Sequence, residues 1–327
     1  MITEHIRRPR RAVAAATLAI GALALAACSS SANGGTHAAH TSAGQTSAPA
    51  PASSAPSSTA PTTSDSSPVA SDNTLSVTAT DSAAAMSFDI SGTPHAGLVT
   101  ITLQNTGKYA HEMGLARTKP GVTLAQVKAA LMKGDEAKAK ALQVDPDHEI
   151  SAPAIVGPGL TEQVTVPLLA GHYIVTCFLP GPDGMPHVAM GMIDEFTVTD
   201  GAGADQPPAS DGTITLTDKA ITLPDGFTGS GTFTVTNTGT AAHDFSVASL
   251  KSAGSLGAYF QCVAGSFGKG TPIDACPGTL AGGVTALAPG ASAYVTIQLA
   301  PGHYGYVSTQ GDGKDFQAGL NGEFEVA

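Results

Sequence analysis

The feature that most constrains this chain is that it repeats itself. Asn105-Thr106-Gly107, followed by His111, recurs as Asn237-Thr238-Gly239, followed by His243. Gly171-His172-Tyr173 recurs as Gly302-His303-Tyr304, and Glu195-Phe196-Thr197-Val198 as Glu323-Phe324-Glu325-Val326. The offsets of 132, 131 and 128 residues describe two co-linear copies of one unit, with a small deletion near the end of the second. Each copy is near the usual size of a domain. A Gly/Pro/Ala-rich stretch from Asp200 to Gly212 marks the join. The organisation expected is a first domain over residues 73–200, a linker over 201–211 and a second domain over 212–327.

Inside each copy the hydrophobic period is two. Val99, Ile101 and Leu103 alternate with Leu98, Thr100 and Thr102, and Phe233 and Val235 alternate with threonines. Val164, Val166 and Leu168 repeat the pattern in the first copy, as do Ala293, Val295, Ile297 and Leu299 in the second. β-branched residues at this period, punctuated by Gly, Asn and Pro, predict half-buried strands. The fold class expected is all-β, two tandem Greek-key sandwiches. The first carries a short helical insertion: Thr123 with Gln126 forms a capping box ahead of Leu124, Val127 and Leu131, and a second short helix starts near Asp135. At the corresponding place the second copy carries a Gly-rich loop between Cys262 and Cys276, which are expected to pair.

The N-terminus sets the expected compartment. Arg7, Arg8, Arg10 and Arg11 precede an apolar run from Ala12 to Ala27, which ends at Leu25-Ala26-Ala27-Cys28. This reads as a signal peptide over residues 1–27. It resembles a bacterial lipobox, which implies lipidation of Cys28 and attachment to the outer face of the cell membrane. Residues 28–72, rich in Ser, Ala, Pro and Thr, read as a tether. His37 and His40 within it are taken as solvated linker. Cleavage removes four Arg and one Glu from totals of 15 basic and 26 acidic residues, leaving 11 and 25, a net charge of −14. So acidic a body repels phosphate, so no nucleic-acid partner is expected, and membrane attachment has to come from acyl chains.

Cys177 is the odd thiol. It begins the run Cys177-x₉-His187-x₄-Met192, in a Pro/Gly-rich loop downstream of His111. Here the sequence resembles the cupredoxins, the blue copper proteins, and the loop is similar to the type 1 copper loop of copper nitrite reductases, one residue longer. The resemblance implies one type 1 copper per chain, held by His111, Cys177, His187 and Met192. Met190 is the other candidate thioether; Met192 matches the spacing of the family's loop. A thiolate with two imidazoles and a distant thioether serves both copper oxidation states with little rearrangement, which suits one-electron transfer. Against copper, a buried Cys often merely fills a core. The second copy keeps His243 but has Ser308 for Cys177 and Phe316 near His187, so this His could serve the turn in both copies. His172 and His303 are read as surface residues, and His95 and His148 as loop residues without partners.

No His-x-His pair, Gly-x-Ser-x-Gly elbow or phosphate-cradling loop is present, and Asp145, Asp147 and Glu149 read as a solvated acidic run, so no enzyme is expected. The function expected is single-electron transfer by an extracytoplasmic, lipid-anchored copper protein, with a redox protein as its further partner. A metal-free surface-binding module and a copper sequestrant are the rival readings. The second domain would be a ligand-free copy that packs against, orients or docks the first.

Overall fold

Alternating burial builds fifteen strands among the described residues. In this computed structural model residues 73–81, 85–201, 203, 206–311 and 313–327 are described. The signal peptide, the tether with His37 and His40, and the lipidation site Cys28 lie outside the described residues. The first half comprises β1 (Thr74–Asp81), β2 (Met86–Ser91), β3 (Gly97–Asn105), β4 (Gly114–Arg117), β5 (Thr161–Leu168), β6 (Gly171–Thr176) and β7 (Ile193–Val198). Between β4 and β5 it carries α1 (Leu124–Leu131) and α2 (Glu136–Ala141). The second half comprises β8 (Gly212–Thr217), β9 (Ala220–Thr222), β10 (Ser230–Asn237), β11 (His243–Leu250), α3 (Leu256–Lys269), β12 (Gly278–Leu287), β13 (Ser292–Gln298), β14 (Gly302–Val307), α4 (Lys314–Ala318) and β15 (Asn321–Val326). Val99, Ile101, Leu103, Val164, Val166, Val235 and Val295 are fully buried, as their period of two requires. Among the described residues no helix is long and apolar enough to cross a membrane.

The fold is all-β, and the repeat is legible in its topology. Within one sheet the first half contributes the order β2-β1-β3-β5 and the second half β13-β10-β8-β9, a mirror of it. The β1–β3 and β8–β10 pairings are both parallel. The facing layers are β4-β6-β7 and β12-β11-β14-β15. The halves also share hydrogen bonds. β5 pairs with β13 through Thr165↔Tyr294, Val164↔Val295 and Gln163↔Thr296, which makes one eight-stranded sheet. A second seam runs beside β12: Ala154 N–H donates to Gly283 O, Gly157 N–H to Leu280 O and Thr285 N–H to Ala152 O. A single buried apolar cluster spans both halves.

The insertions part from one another. Thr123 and Gln126 close the expected capping box on α1, and Asp135 caps α2. Val127 packs with Ile174, Val188 and Ile193 in a small cluster of its own. The Gly-rich segment expected as a loop in the second half is instead mostly the 14-residue helix α3. Leu256, Tyr259, Val263 and Phe267 recur at helical spacing and face the core, and this stripe outweighs the propensity cost of Gly257 and Gly265. Glu323 accepts the Leu256 N–H at 2.9 Å, so a side chain from β15 caps the helix start. Cys262 and Cys276 are disulfide-bonded, with Cα atoms 5.7 Å apart.

Candidate metal centre

His111 is delivered by a turn whose every residue has a task. The Asn105 side chain, buried, donates to Tyr109 O at 2.8 Å and Val156 O at 2.9 Å and accepts the Gly107 N–H at 2.9 Å. Thr106 Oγ1 donates to Ala79 O. A Cβ at Gly107 would stand 3.0 Å from His111 Nε2 and collide with the Asp81 carboxylate, so glycine is what lets that carboxylate reach the imidazole. Asp81 Oδ2 lies 3.4 Å from His111 Nε2 and accepts the N–H groups of Lys108 and Tyr109. The backbone of His111 exchanges two hydrogen bonds with Val156, at 3.0 and 2.9 Å.

Cys177 and His187 come together because the loop between them folds back as a tight hairpin. Gly181 N–H donates to Met185 O, His187 N–H to Leu179 O and Val188 N–H to Cys177 O. Cys177 continues the inward face of Tyr173 and Val175, and both it and His187 are essentially inaccessible, at 0 % and 1 % exposure. His111 Nδ1 lies 3.2 Å from His187 Nδ1, and His187 Nδ1 lies 3.3 Å from Cys177 Sγ. The three donor atoms fall within 4.8 Å of one another. Met192 is fully buried, and its backbone bonds both neighbours, N–H to His187 O at 3.0 Å and O from Cys177 N–H at 3.2 Å. Met190 is half-buried, with its sulfur against Gly181.

The electrostatics keep the donors neutral. Burial pushes His187 down to about 4, and the neighbouring His111 adds to this. Burial also lowers His111, against the pull of Asp81. Both imidazoles therefore offer lone pairs at neutral pH. Burial pushes the Cys177 thiol well up, reinforced by the charge of Glu112. Glu112 ties the pieces together: its backbone N–H donates to Cys177 Sγ at 3.5 Å and its carboxylate accepts the Phe178 N–H at 2.6 Å. Burial pushes Glu112 itself up to about 7, with that Phe178 bond opposing. Two nitrogens and a sulfur at these separations suit a metal bonded at about 2 Å to nitrogen and slightly farther to sulfur. The mixture of soft thiolate and imidazole is the chemistry of copper, and a bound cation would supply the charge that deprotonates the thiol. The donor set fits.

The second half shows the same scaffold without that set. Asn237, Thr238 and Gly239 repeat the turn bond for bond, and Asp218 takes the place of Asp81, 3.0 Å from His243 Nε2. Ser308 stands for Cys177, receiving the Asp244 N–H at 3.1 Å as Cys177 receives that of Glu112. The position of His187 is taken by Asp315 rather than by Phe316. Asp315 Oδ2 lies 2.6 Å from His243 Nδ1 and accepts from Ser308 Oγ at 2.5 Å, while Phe316 stacks on Phe260. The smallest of the three repeat offsets, 128, already aligns Asp315 with His187. Asp81 was likewise legible, since Thr78-Ala79-Thr80-Asp81 recurs as Thr215-Leu216-Thr217-Asp218. Two loop histidines do have partners, contrary to expectation: His95 Nδ1 lies 2.7 Å from Thr199 Oγ1 and His148 Nδ1 2.8 Å from Asp145 Oδ1. His172, partly exposed, bonds Thr118 and Glu195.

No family model and no curated protein matches the chain. Among solved structures it is similar to auracyanin from Roseiflexus castenholzii, at 23% identity over 38% of this chain and 96% of that one, with a TM-score of 0.26. Auracyanin A from Chloroflexus aurantiacus, described as a "blue" copper protein, gives 23% identity over 38% of this chain and 99% of that one, with a TM-score of 0.26. A multicopper oxidase gives 13% identity over 78% of this chain and 88% of that one, with a TM-score of 0.23.

Proposed function

We propose that the chain binds one type 1 copper through His111, Cys177 and His187, with Met192 as the further residue that would hold it, and passes single electrons. The carrying observation is the convergence of His111 Nδ1, His187 Nδ1 and Cys177 Sγ in one inaccessible pocket. Copper bound there supplies a one-electron couple. The protein's part is to hold the donors fixed: Asn105 and Val156 fix the His111 turn, the Leu179–His187 hairpin fixes the second imidazole, and Glu112 bonds on either side of the Cys177–Phe178 peptide. A rigid donor set changes little between oxidation states, which keeps the reorganisation on electron transfer small. In this reading the chain is exported, lipidated at Cys28 and tethered outside the cell membrane, where a redox protein would meet it; the Arg-rich start, the apolar run and Leu25-Ala26-Ala27-Cys28 support this.

Purified protein given Cu(II) is expected to turn blue through thiolate-to-copper charge transfer, and Cys177→Ser to remain colourless. A wild-type protein that stays colourless while its Cys177 thiol titrates freely would end the copper reading. Cys28→Ala is expected to move the protein from the membrane fraction to the soluble one and to abolish incorporation of labelled palmitate.

A further inference from the structure

We propose that the disulfide-closed insertion of the second half completes the metal centre of the first, with Asp274 holding the Ala110–His111 segment and Gly270 seating the ligand loop at Gly184. This rests on reading His111, Cys177 and His187 as a metal site. Asp274 lies in a short 3-10 turn, Ile273–Ala275, directly ahead of Cys276. Both of its carboxylate oxygens accept the N–H of Ala110, at 3.1 and 2.9 Å, and Ala110 is the residue before His111. A carboxylate facing a backbone N–H makes one of the stronger hydrogen bonds available to a chain.

The second contact is backbone on backbone. Gly270 ends α3 in the left-handed conformation, and it faces Gly184 of the Cys177–His187 loop. A Cβ on Gly184 would stand 2.9 Å from Gly270 O, and one on Gly270 would stand 3.1 Å from Gly184 Cα, so a side chain at either position would push the two backbones apart. The Cys262–Cys276 disulfide closes the segment that carries both Gly270 and Asp274. One closed segment of the second half therefore touches both loops that carry the imidazoles. His111 is held from its other side as well, because Val156, which shares two backbone bonds with it, lies in the strip bonded to β12.

The first half's own insertion meets the ligand segment at a different point: Val127 of α1 packs with Ile174, Ile193 and Val188, the residue after His187. The second half has given up the ligand set yet supplies contacts the first half lacks. Asp274 is a positioning residue: it meets no donor atom and acts through the peptide ahead of His111. Its loss should loosen the register of His111 against Cys177 and His187.

The test uses the full chain and two readouts, one of which needs no metal. In metal-free protein the alkylation rate of Cys177, mapped by peptide mass so that Cys28 is counted separately, reports how tightly the pocket is closed. Asp274→Ala is expected to speed it by about tenfold through easier local opening, and Asp274→Asn, which keeps one acceptor oxygen, to restore most of the protection. With Cu(II) bound, Asp274→Ala is expected to shift the thiolate-to-copper bands and the copper hyperfine splitting, a change that a remote loss of stability would not produce. Should Asp274→Ala fail to fold, the Cys262→Ser/Cys276→Ser double variant carries the same expectation through the loosened segment. Wild-type alkylation and wild-type spectra in a folded variant would overturn the proposal. If the wild-type protein takes up no copper at all, the copper reading falls, while the alkylation rates still decide whether the insertion closes the pocket.

Discussion

At the scale of single residues, the two halves show two ways of filling one socket. In the first, His111, Cys177 and His187 bring three metal-ligating atoms within 4.8 Å of one another. In the second, a proton takes that place. His243 can satisfy Asp315 at 2.6 Å and Asp218 at 3.0 Å together only by donating from both ring nitrogens. Burial alone would lower its pKa, but the bonds and charges of Asp315 and Asp218 outweigh it and hold His243 above the usual value. Folded His243 thus keeps its proton to higher pH than it does in the unfolded chain. Its stabilisation is complete below the unfolded value near 6.5 and is lost as pH rises through the higher folded value. Asp218 is shifted the other way, chiefly by His243, so its share is present above the ordinary carboxylate range and is lost on strong acidification. Thermal melts are expected to show Tm falling as pH rises above the unfolded value near 6.5, and His243→Gln should flatten that slope. A slope unchanged in the variant would remove the charged imidazole from the account.

At the scale of elements, the Asn-Thr-Gly turn is the device both halves share. Asn237 donates to Ala241 O and Leu287 O, each at 2.7 Å, and accepts the Gly239 N–H, while itself fully buried. Truncation removes the partner of two carbonyls and an amide, of which the Leu287 carbonyl is in a fully buried bond. Asn237→Ala is expected to cost about 2–4 kcal/mol in denaturant melts, because each orphaned buried group costs about 1–3 kcal/mol. Asn105→Ala should cost a similar amount and in addition impair copper loading, since its turn carries His111. The helices follow a different logic: α1 begins where Thr123 and Gln126 satisfy one another, so Thr123→Ala is expected to cost about 1 kcal/mol and to leave the metal centre untouched.

At the scale of the whole molecule, the described residues fall within one compact unit. The β5–β13 pairing and the strip along β12 carry backbone hydrogen bonds from one half to the other, and the buried apolar cluster is continuous across them. Neither half can unfold without opening the edge of the other. Calorimetry is therefore expected to show one cooperative transition with calorimetric and van't Hoff enthalpies in agreement, and two resolved transitions would contradict the shared sheet.

The repeat, the period of two and the turn residues were sufficient in the sequence to specify an all-β chain built from two equivalent units, because alternation and turn chemistry are local properties. The odd thiol and the spacing Cys177-x₉-His187 pointed to the ligand loop for the same reason. The helix α3 was hidden because three glycines mask a helical stripe, and burial of that stripe decided the matter. Asp315 opposite His187, Asp81 behind His111 and Asp274 against Ala110 depend on which chain segments meet in space. Alignment of the repeats could indicate the first two. The contact between Asp274 and Ala110 spans 164 positions and two different halves, and only the packed structure brings it about.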